Sequence, residues 1–223
     1  EFICTKTCEE MRCKMTYKNK AMIKVCGLTD VREAEYLNKY KIDLAGFVLF
    51  FPKSKRNISI EKAEQIMKAL DDSIKKVAVV VSPDEKQMSA INDSSFDYIQ
   101  IHGRVSDEIL EKTKKPVLKA FNIDDMDDFK RYSLHEKIAG YVFDAAEPGS
   151  GKAFDWDILN EIERDKKLFI LAGGLNQDNV KRAVEVVCPD IVDVSSGVEN
   201  DDGFGKDQEK IKKFAEQIRK KFK

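Results

Sequence analysis

The chain predicts an α/β fold closed as a single (β/α)₈ barrel, and three observations carry that expectation. From Met22 onward short β-branched runs alternate with amphipathic stretches of about 10 to 15 residues, the rhythm of repeated βα units. The runs number eight, enough to close a barrel. Polar side chains gather in the last residues of several runs, the end at which such a barrel places its chemistry.

The strand candidates end at Cys26, Leu49, Val81, His102, Phe121, Asp144, Ala172 and Val194, each followed by a helical or capped segment. Thr29-Asp30 stands ahead of Val31 as a helix cap, and Ser59, with Lys62 three residues on, opens the next helix. Ser82-Pro83-Asp84 and Ser106-Asp107 do the same after the third and fourth strands, and Asn176 precedes the helix through Val180 and Ala183. The final helix is expected over Lys206 to Phe222, with Ile211, Phe214, Ala215 and Ile218 on its apolar face. An open doubly wound sheet is the alternative, but Cys26-Gly27-Leu28-Thr29-Asp30 lacks the G-x-G-x-x-G spacing that fold carries after its first strand. No low-complexity linker interrupts the pattern, so residues 22–223 read as one TIM-barrel catalytic domain. Residues 1–21 are polar, lack the apolar core of a secretory signal, and read as an N-terminal extension or a remnant of expression.

With 223 residues, 42% of them apolar, the chain can bury one substantial core near the lower size of this fold. A formal charge of -1 gives no overall field for nucleic acid or an anionic membrane, so any anion site must be local. The longest apolar run, Leu44 to Phe51, falls far short of the roughly 20 residues that cross a bilayer. Cysteines at 4, 8, 13, 26 and 188 form neither CxxC pairs nor an even set, which points away from a disulfide framework or a zinc ribbon and toward a reducing cytoplasm. Cys4, Cys8 and Cys13 are unevenly spaced with no nearby His, so no metal is expected.

Strand parity sorts the polar residues into those facing the barrel interior and those facing away. Lys24 and Cys26 share a face, and an ammonium beside a thiol favours the reactive thiolate. Gln100 and His102 share a face on the fourth strand, Lys119 lies in the fifth, Asp144 ends the sixth and Asp193 nearly ends the eighth. Structural readings compete: Cys26 as a small core residue, His102 as a hydrogen-bonded wall, and Lys24 or Lys119 paired with Asp193 in a polar layer. A carboxylate ending the apolar run from Ile138 to Phe143 is harder to explain by packing.

Two consecutive loops carry a phosphate signature, Gly173-Gly174 after the seventh strand and Ser195-Ser196-Gly197 after the eighth. Glycines allow close backbone approach and serines add hydroxyl donors, although both pairs also suit plain turns. Phe51-Pro52-Lys53-Ser54-Lys55-Arg56 is a strongly basic loop in which Arg56 offers a two-pronged contact to a carboxylate. Glu147-Pro148-Gly149-Ser150-Gly151-Lys152 fails the P-loop spacing and reads as a mobile cover over Asp144.

Six segments in this order resemble the phosphoribosylanthranilate isomerase family: Lys24 to Gly27, Phe51 to Arg56, Gln100 to Gly103, Gly149 to Trp156, Gly173 to Leu175, and Val192 to Glu199. The resemblance runs from Met22 to the C-terminus. It implies an Amadori rearrangement of N-(5-phosphoribosyl)anthranilate to the open-chain carboxyphenylamino-deoxyribulose phosphate in tryptophan biosynthesis, without a metal or organic cofactor. The family's general base falls on Cys26, its general acid on Asp144 and its ligand for the anthranilate carboxylate on Arg56. His102 and Asp193 are expected to bind the substrate, and Gly173, Gly174, Ser195 and Ser196 its phosphate. The expected partner is this small phosphoribosyl substrate, with monomer and homodimer both open. Asp144 would protonate the ribose ring oxygen to open the ring, and Cys26 would take the C2′ proton from the resulting iminium. That division needs a carboxyl raised by apolar burial and a thiol lowered by Lys24 and the iminium. A Schiff-base aldolase using Lys24 or Lys119, a non-catalytic phosphate-binding barrel, and activity on a histidine-pathway phosphoribosyl amine are the rival readings.

Overall fold

Alternation of large apolar residues along each strand gives every strand two buried faces, and a sheet buried on both faces must be covered outside and filled inside. A computed structural model of the chain, which describes residues 21–123, 126, 128–144 and 155–219, shows how this is achieved. The strands are β1 (Met22–Cys26), β2 (Leu44–Leu49), β3 (Asn57–Ile58), β4 (Lys75–Val81), β5 (Tyr98–His102), β6 (Val117–Asn122), β7 (Ile138–Asp144), β8 (Leu168–Leu171) and β9 (Ile191–Val194). All pairings among them are parallel, and the order β1-β9-β8-β7-β6-β5-β4-β2 is closed into a ring by the pairing of β1 with β2. The eight-stranded barrel expected from the sequence is thus present, with strand ends within one residue of those expected.

The ninth strand, β3, was not foreseen. It pairs Asn57 with Val48 and Ile58 with Leu49, at the end of β2 that β1 does not reach, since β1 pairs with β2 only as far as Cys26 and Gly46. Two residues are too few for any periodic signal. Its effect is to fix the chain immediately after Arg56 against the barrel rim.

Outside the barrel lie α1 (Val31–Lys39), α2 (Ile60–Met67), α3 (Glu85–Asn92), α4 (Asp107–Glu111), α5 (Phe129–Ser133), α6 (Val180–Val187) and α7 (Gln208–Arg219). Asp30, Ser59, Asp84 and Ser106 cap the first four by accepting a backbone N–H, as their positions predicted. Asn176 does not cap α6; the residue at the cap is Asn179, whose side chain instead accepts from the Asn176 N–H at 2.9 Å and donates to the Gly174 carbonyl at 2.9 Å. After β7 the described chain forms a 3-10 helix, Trp156–Glu161, in place of a full α-helix. The last helix is shorter than expected at its start, but Ile211, Phe214, Ala215 and Ile218 are buried as its pattern required.

The two strand faces build two cores. Leu44, Val77, Val79, Leu118, Ala120, Val142, Ile170 and Ile191 fill the barrel, whereas Ile23, Val25, Phe47, Ile99, Phe121, Phe143 and Val192 pack outward beneath the helices. Lys119 stands between Leu118 and Ala120, both interior, and therefore points outward with Phe121. Its ammonium lies over the rings of Phe121 and Tyr132 at 4.7 and 4.8 Å and donates to the Ala120 carbonyl at 2.6 Å. The expectation that Lys119 joins the inward polar set is therefore corrected. The cover expected over Asp144 and the three N-terminal cysteines lie outside the described residues.

Candidate active site

At the C-terminal end of the barrel the apolar filling stops and a cleft opens, with about 820 Å³ of space between its lining atoms, part of it open to solvent. Cys26, Arg56, His102, Asp144, Gly173, Gly174, Asp193, Ser195 and Ser196 all line it, so every residue singled out as catalytic or binding reaches one cavity. These residues come from different strands, and the shared end of a closed parallel sheet is what brings them together.

Lys24 and Asp193 lie opposite each other across the β1–β9 pair, and their side chains meet at 2.6 Å inside the barrel floor. Lys24 has no exposed surface. Burial pushes its ammonium toward neutrality, but the Asp193 carboxylate, with Cys26 adding to it, holds it above its ordinary value. Only one Asp193 oxygen is used: Oδ1 is buried without a hydrogen-bond partner. Gly46 makes room for this arrangement, because a Cβ there would lie 2.9 Å from the Cys26 Sγ and 3.2 Å from the Lys24 Nζ.

This geometry changes one expectation. Burial pushes the Cys26 thiol above its ordinary value, and the opposing pull of Lys24 and Lys206 does not overcome it while Asp193 adds to the rise. Lys24 is largely spent on Asp193, so in the unliganded protein Cys26 rests as a thiol rather than the thiolate that its neighbour suggested.

His102 is neutral across the physiological range: burial, helped by the charges of Lys24 and Lys119, lowers it to about 3. It contacts the Gln100 side-chain nitrogen at 2.8 Å through Nε2, as its shared strand face predicted. Asp144 is nine-tenths buried at the end of β7, and its carbonyl accepts from the Ile123 N–H at 3.1 Å, which fixes the strand end. The Ser195 hydroxyl, expected to meet a phosphate, donates instead to the Cys26 carbonyl at 2.9 Å and braces the end of β1. That leaves backbone N–H groups and Ser196 to meet an anion from this loop.

Arg56 reaches the cleft because of two neighbours. Gly27, at φ +83, has no Cβ where one would come within 2.5 Å of the arginine's Cδ. Glu199 accepts from Arg56 Nε at 2.5 Å, and Lys55 and Lys206 approach the same carboxylate at 2.9 and 3.2 Å. The sequence placed Glu199 in a motif without a role and Lys206 only at the start of the last helix. Among the described residues no three His, Cys, Asp or Glu side chains come together as a metal site, and no helix is long and apolar enough to cross a membrane.

Known proteins are similar to this chain over most of its length. The family model described as N-(5'phosphoribosyl)anthranilate (PRA) isomerase matches residues 23–217. The N-(5'-phosphoribosyl)anthranilate isomerase of Clostridium acetobutylicum is 43% identical over 205 residues, covering 89% of this chain and 98% of that protein. The crystal structure of phosphoribosyl anthranilate isomerase from Thermotoga maritima superposes with a TM-score of 0.78 at 35% identity, over 89% of this chain and 98% of that one. A further solved isomerase, in complex with reduced 1-(o-carboxyphenylamino)-1-deoxyribulose 5-phosphate, superposes at 0.76 with 32% identity over 89% and 98% of the two chains. Barrel, cleft and similarity along the whole domain agree: this chain belongs to the phosphoribosylanthranilate isomerase family.

Proposed function

We propose that Cys26 and Asp144 are the general base and general acid with which this isomerase of tryptophan biosynthesis carries out the Amadori rearrangement of N-(5-phosphoribosyl)anthranilate. The observation that carries the assignment is that a buried thiol and a buried carboxyl, on β1 and β7, line one cleft together with Arg56 and the Gly173-Gly174 and Ser195-Ser196 loops. Asp144 delivers a proton to the ribose ring oxygen, the C1′–O bond breaks, and the nitrogen lone pair forms an iminium. The iminium's positive charge lowers the Cys26 thiol, which gives up its proton to solvent; the thiolate then removes the C2′ proton, and the C2′–H electron pair flows into the iminium to give an enolamine that tautomerises to the ketone. A thiol that is protonated at rest suits this order, because the positive iminium appears beside it only after ring opening.

The remaining roles follow from chemistry at each position. Asp193 Oδ1, buried and unpartnered, accepts a ribose hydroxyl. Neutral His102 packs against the substrate without adding charge. Gly173, Gly174 and Ser196, with the Ser195 backbone, surround the phosphate, and the Asn179 brace on Gly174 holds that loop. A related isomerase with a reduced deoxyribulose phosphate bound supports a phosphoribosyl ligand for this cleft. The Schiff-base reading is disfavoured, since Lys24 is locked to Asp193 and Lys119 faces away from the cleft. Residues 22–223 as the catalytic domain, and a cytoplasmic setting, fit this role.

Arg56 takes the anthranilate carboxylate. Arg56→Ala is expected to raise KM by about tenfold or more while kcat changes much less, because a ground-state contact away from the reacting carbons is lost. Steady-state kinetics with the fluorescent substrate read both constants, and a collapse of kcat at constant KM would give Arg56 a different role.

A further inference from the structure

We propose that Glu199 is a positioning residue for the carboxylate anchor: it grips Arg56 through Nε and turns the outer guanidinium nitrogens to the cleft, with Lys206 tying Glu199 to the loop of Ser195. This rests on the reading of Arg56 as the ligand of the substrate's carboxylate. The contact at 2.5 Å uses the inner nitrogen of the guanidinium, leaving its terminal edge for a second, two-pronged partner.

The link to Lys206 makes the grip rigid. Lys206 has a side chain with no exposed surface, and its Nζ donates to the Ser195 carbonyl at 3.2 Å, to the Ser195 hydroxyl at 3.4 Å and to Glu199 Oε1 at 3.2 Å. Ser195 donates onward to the Cys26 carbonyl. One run of hydrogen bonds therefore joins Arg56, Glu199, Lys206, Ser195 and the strand that carries Cys26. Its far side is pinned as well: the Lys206 N–H donates to Glu33 Oε1 at 2.6 Å, while Glu33 Oε2 accepts from the Thr29 N–H at the start of α1.

Charge explains why one glutamate needs several cations. Glu199 alone would cancel Arg56 and leave little attraction for an incoming carboxylate. With Lys55, Arg56 and Lys206 all within 3.2 Å of Glu199, three positive groups face one negative group, and the cluster stays attractive to an anion.

A double-mutant cycle tests this. Glu199→Gln is expected to raise KM about tenfold and to weaken inhibition by free anthranilate about as much, with kcat within about threefold and inhibition by inorganic phosphate unchanged. On an Arg56→Ala background the same change should raise KM no further, the signature of a residue acting through Arg56. Unchanged KM in Glu199→Gln, or an equal additional rise on the Arg56→Ala background, overturns the proposal while leaving the anchor intact. Unchanged KM and anthranilate inhibition in Arg56→Ala overturn the anchor and the proposal together. If Glu199→Gln does not fold, Glu199→Asp, which keeps the charge but withdraws it by one methylene, carries the same cycle with the same expected outcomes.

Discussion

Cys26→Ser should lower kcat by about 10²- to 10⁴-fold, the range over which a positioned base acts, while leaving KM within a few-fold of the native value. Serine is close to isosteric, so the 2.9 Å Ser195 contact to the backbone carbonyl of this position and the Lys24–Asp193 pair should persist. What is lost is a group that ionises at accessible pH, since a hydroxyl holds its proton far more tightly than a thiol. The pH dependence carries a sign. Because burial holds the free thiol above its ordinary value, kcat/KM of the native enzyme should climb as pH rises through the alkaline range until the thiol ionises. The kcat profile should rise at lower pH, because the iminium in the complex draws the thiol down. In Cys26→Ser both rises should vanish. Turnover of the serine enzyme near the native rate would remove Cys26 from the base role.

Asp144→Asn should lose kcat by about the same 10²- to 10⁴-fold, again with KM little changed. The amide fits where the carboxyl was, and the backbone tie from Ile123 to the Asp144 carbonyl does not depend on the side chain. An amide cannot give the ring oxygen a proton at useful acidity, so ring opening becomes the slow step. Steady-state consumption of the fluorescent substrate measures the loss, and equilibrium binding of a product analogue checks that the cleft is intact. A weakly affected kcat would move the acid to another group in the cleft.

Local pattern revealed most of the barrel. Strand ends could be placed because each run finishes at a polar or glycine-bearing turn, and caps such as Asp30 and Ser59 act within three residues of themselves. The cleft followed from parity, which put Lys24 with Cys26 and Gln100 with His102 before any contact was known. Lys119 shows parity overlooked: its flanks, Leu118 and Ala120, are small or aliphatic interior residues, and its partner in phase is the aromatic Phe121. Pairing of Lys24 with Asp193 was among the competing readings, but Lys24 alone could not decide it, because Asp193 sits 169 positions away and only the β1–β9 register joins them. Glu199 and Lys206 were hidden for the same reason. Arg56 and Glu199 are 143 positions apart, and Lys206, assigned to the last helix, lies instead ahead of it in an isolated antiparallel bridge to Glu199. Short-range patterns locate side chains on a face, whereas pairings between faces of a closed sheet emerge only with its register.

The division of labour between Cys26 and Asp144 is tested most directly by the isotope effect of substrate deuterated at C2′, measured on the residual turnover of each variant. Cys26→Ser should show a large primary effect, since removal of that hydrogen becomes fully rate-limiting. Asp144→Asn should show an effect near unity, since ring opening precedes that step and limits it. The reverse pattern, or equal effects in the two variants, would contradict the assignment of base and acid.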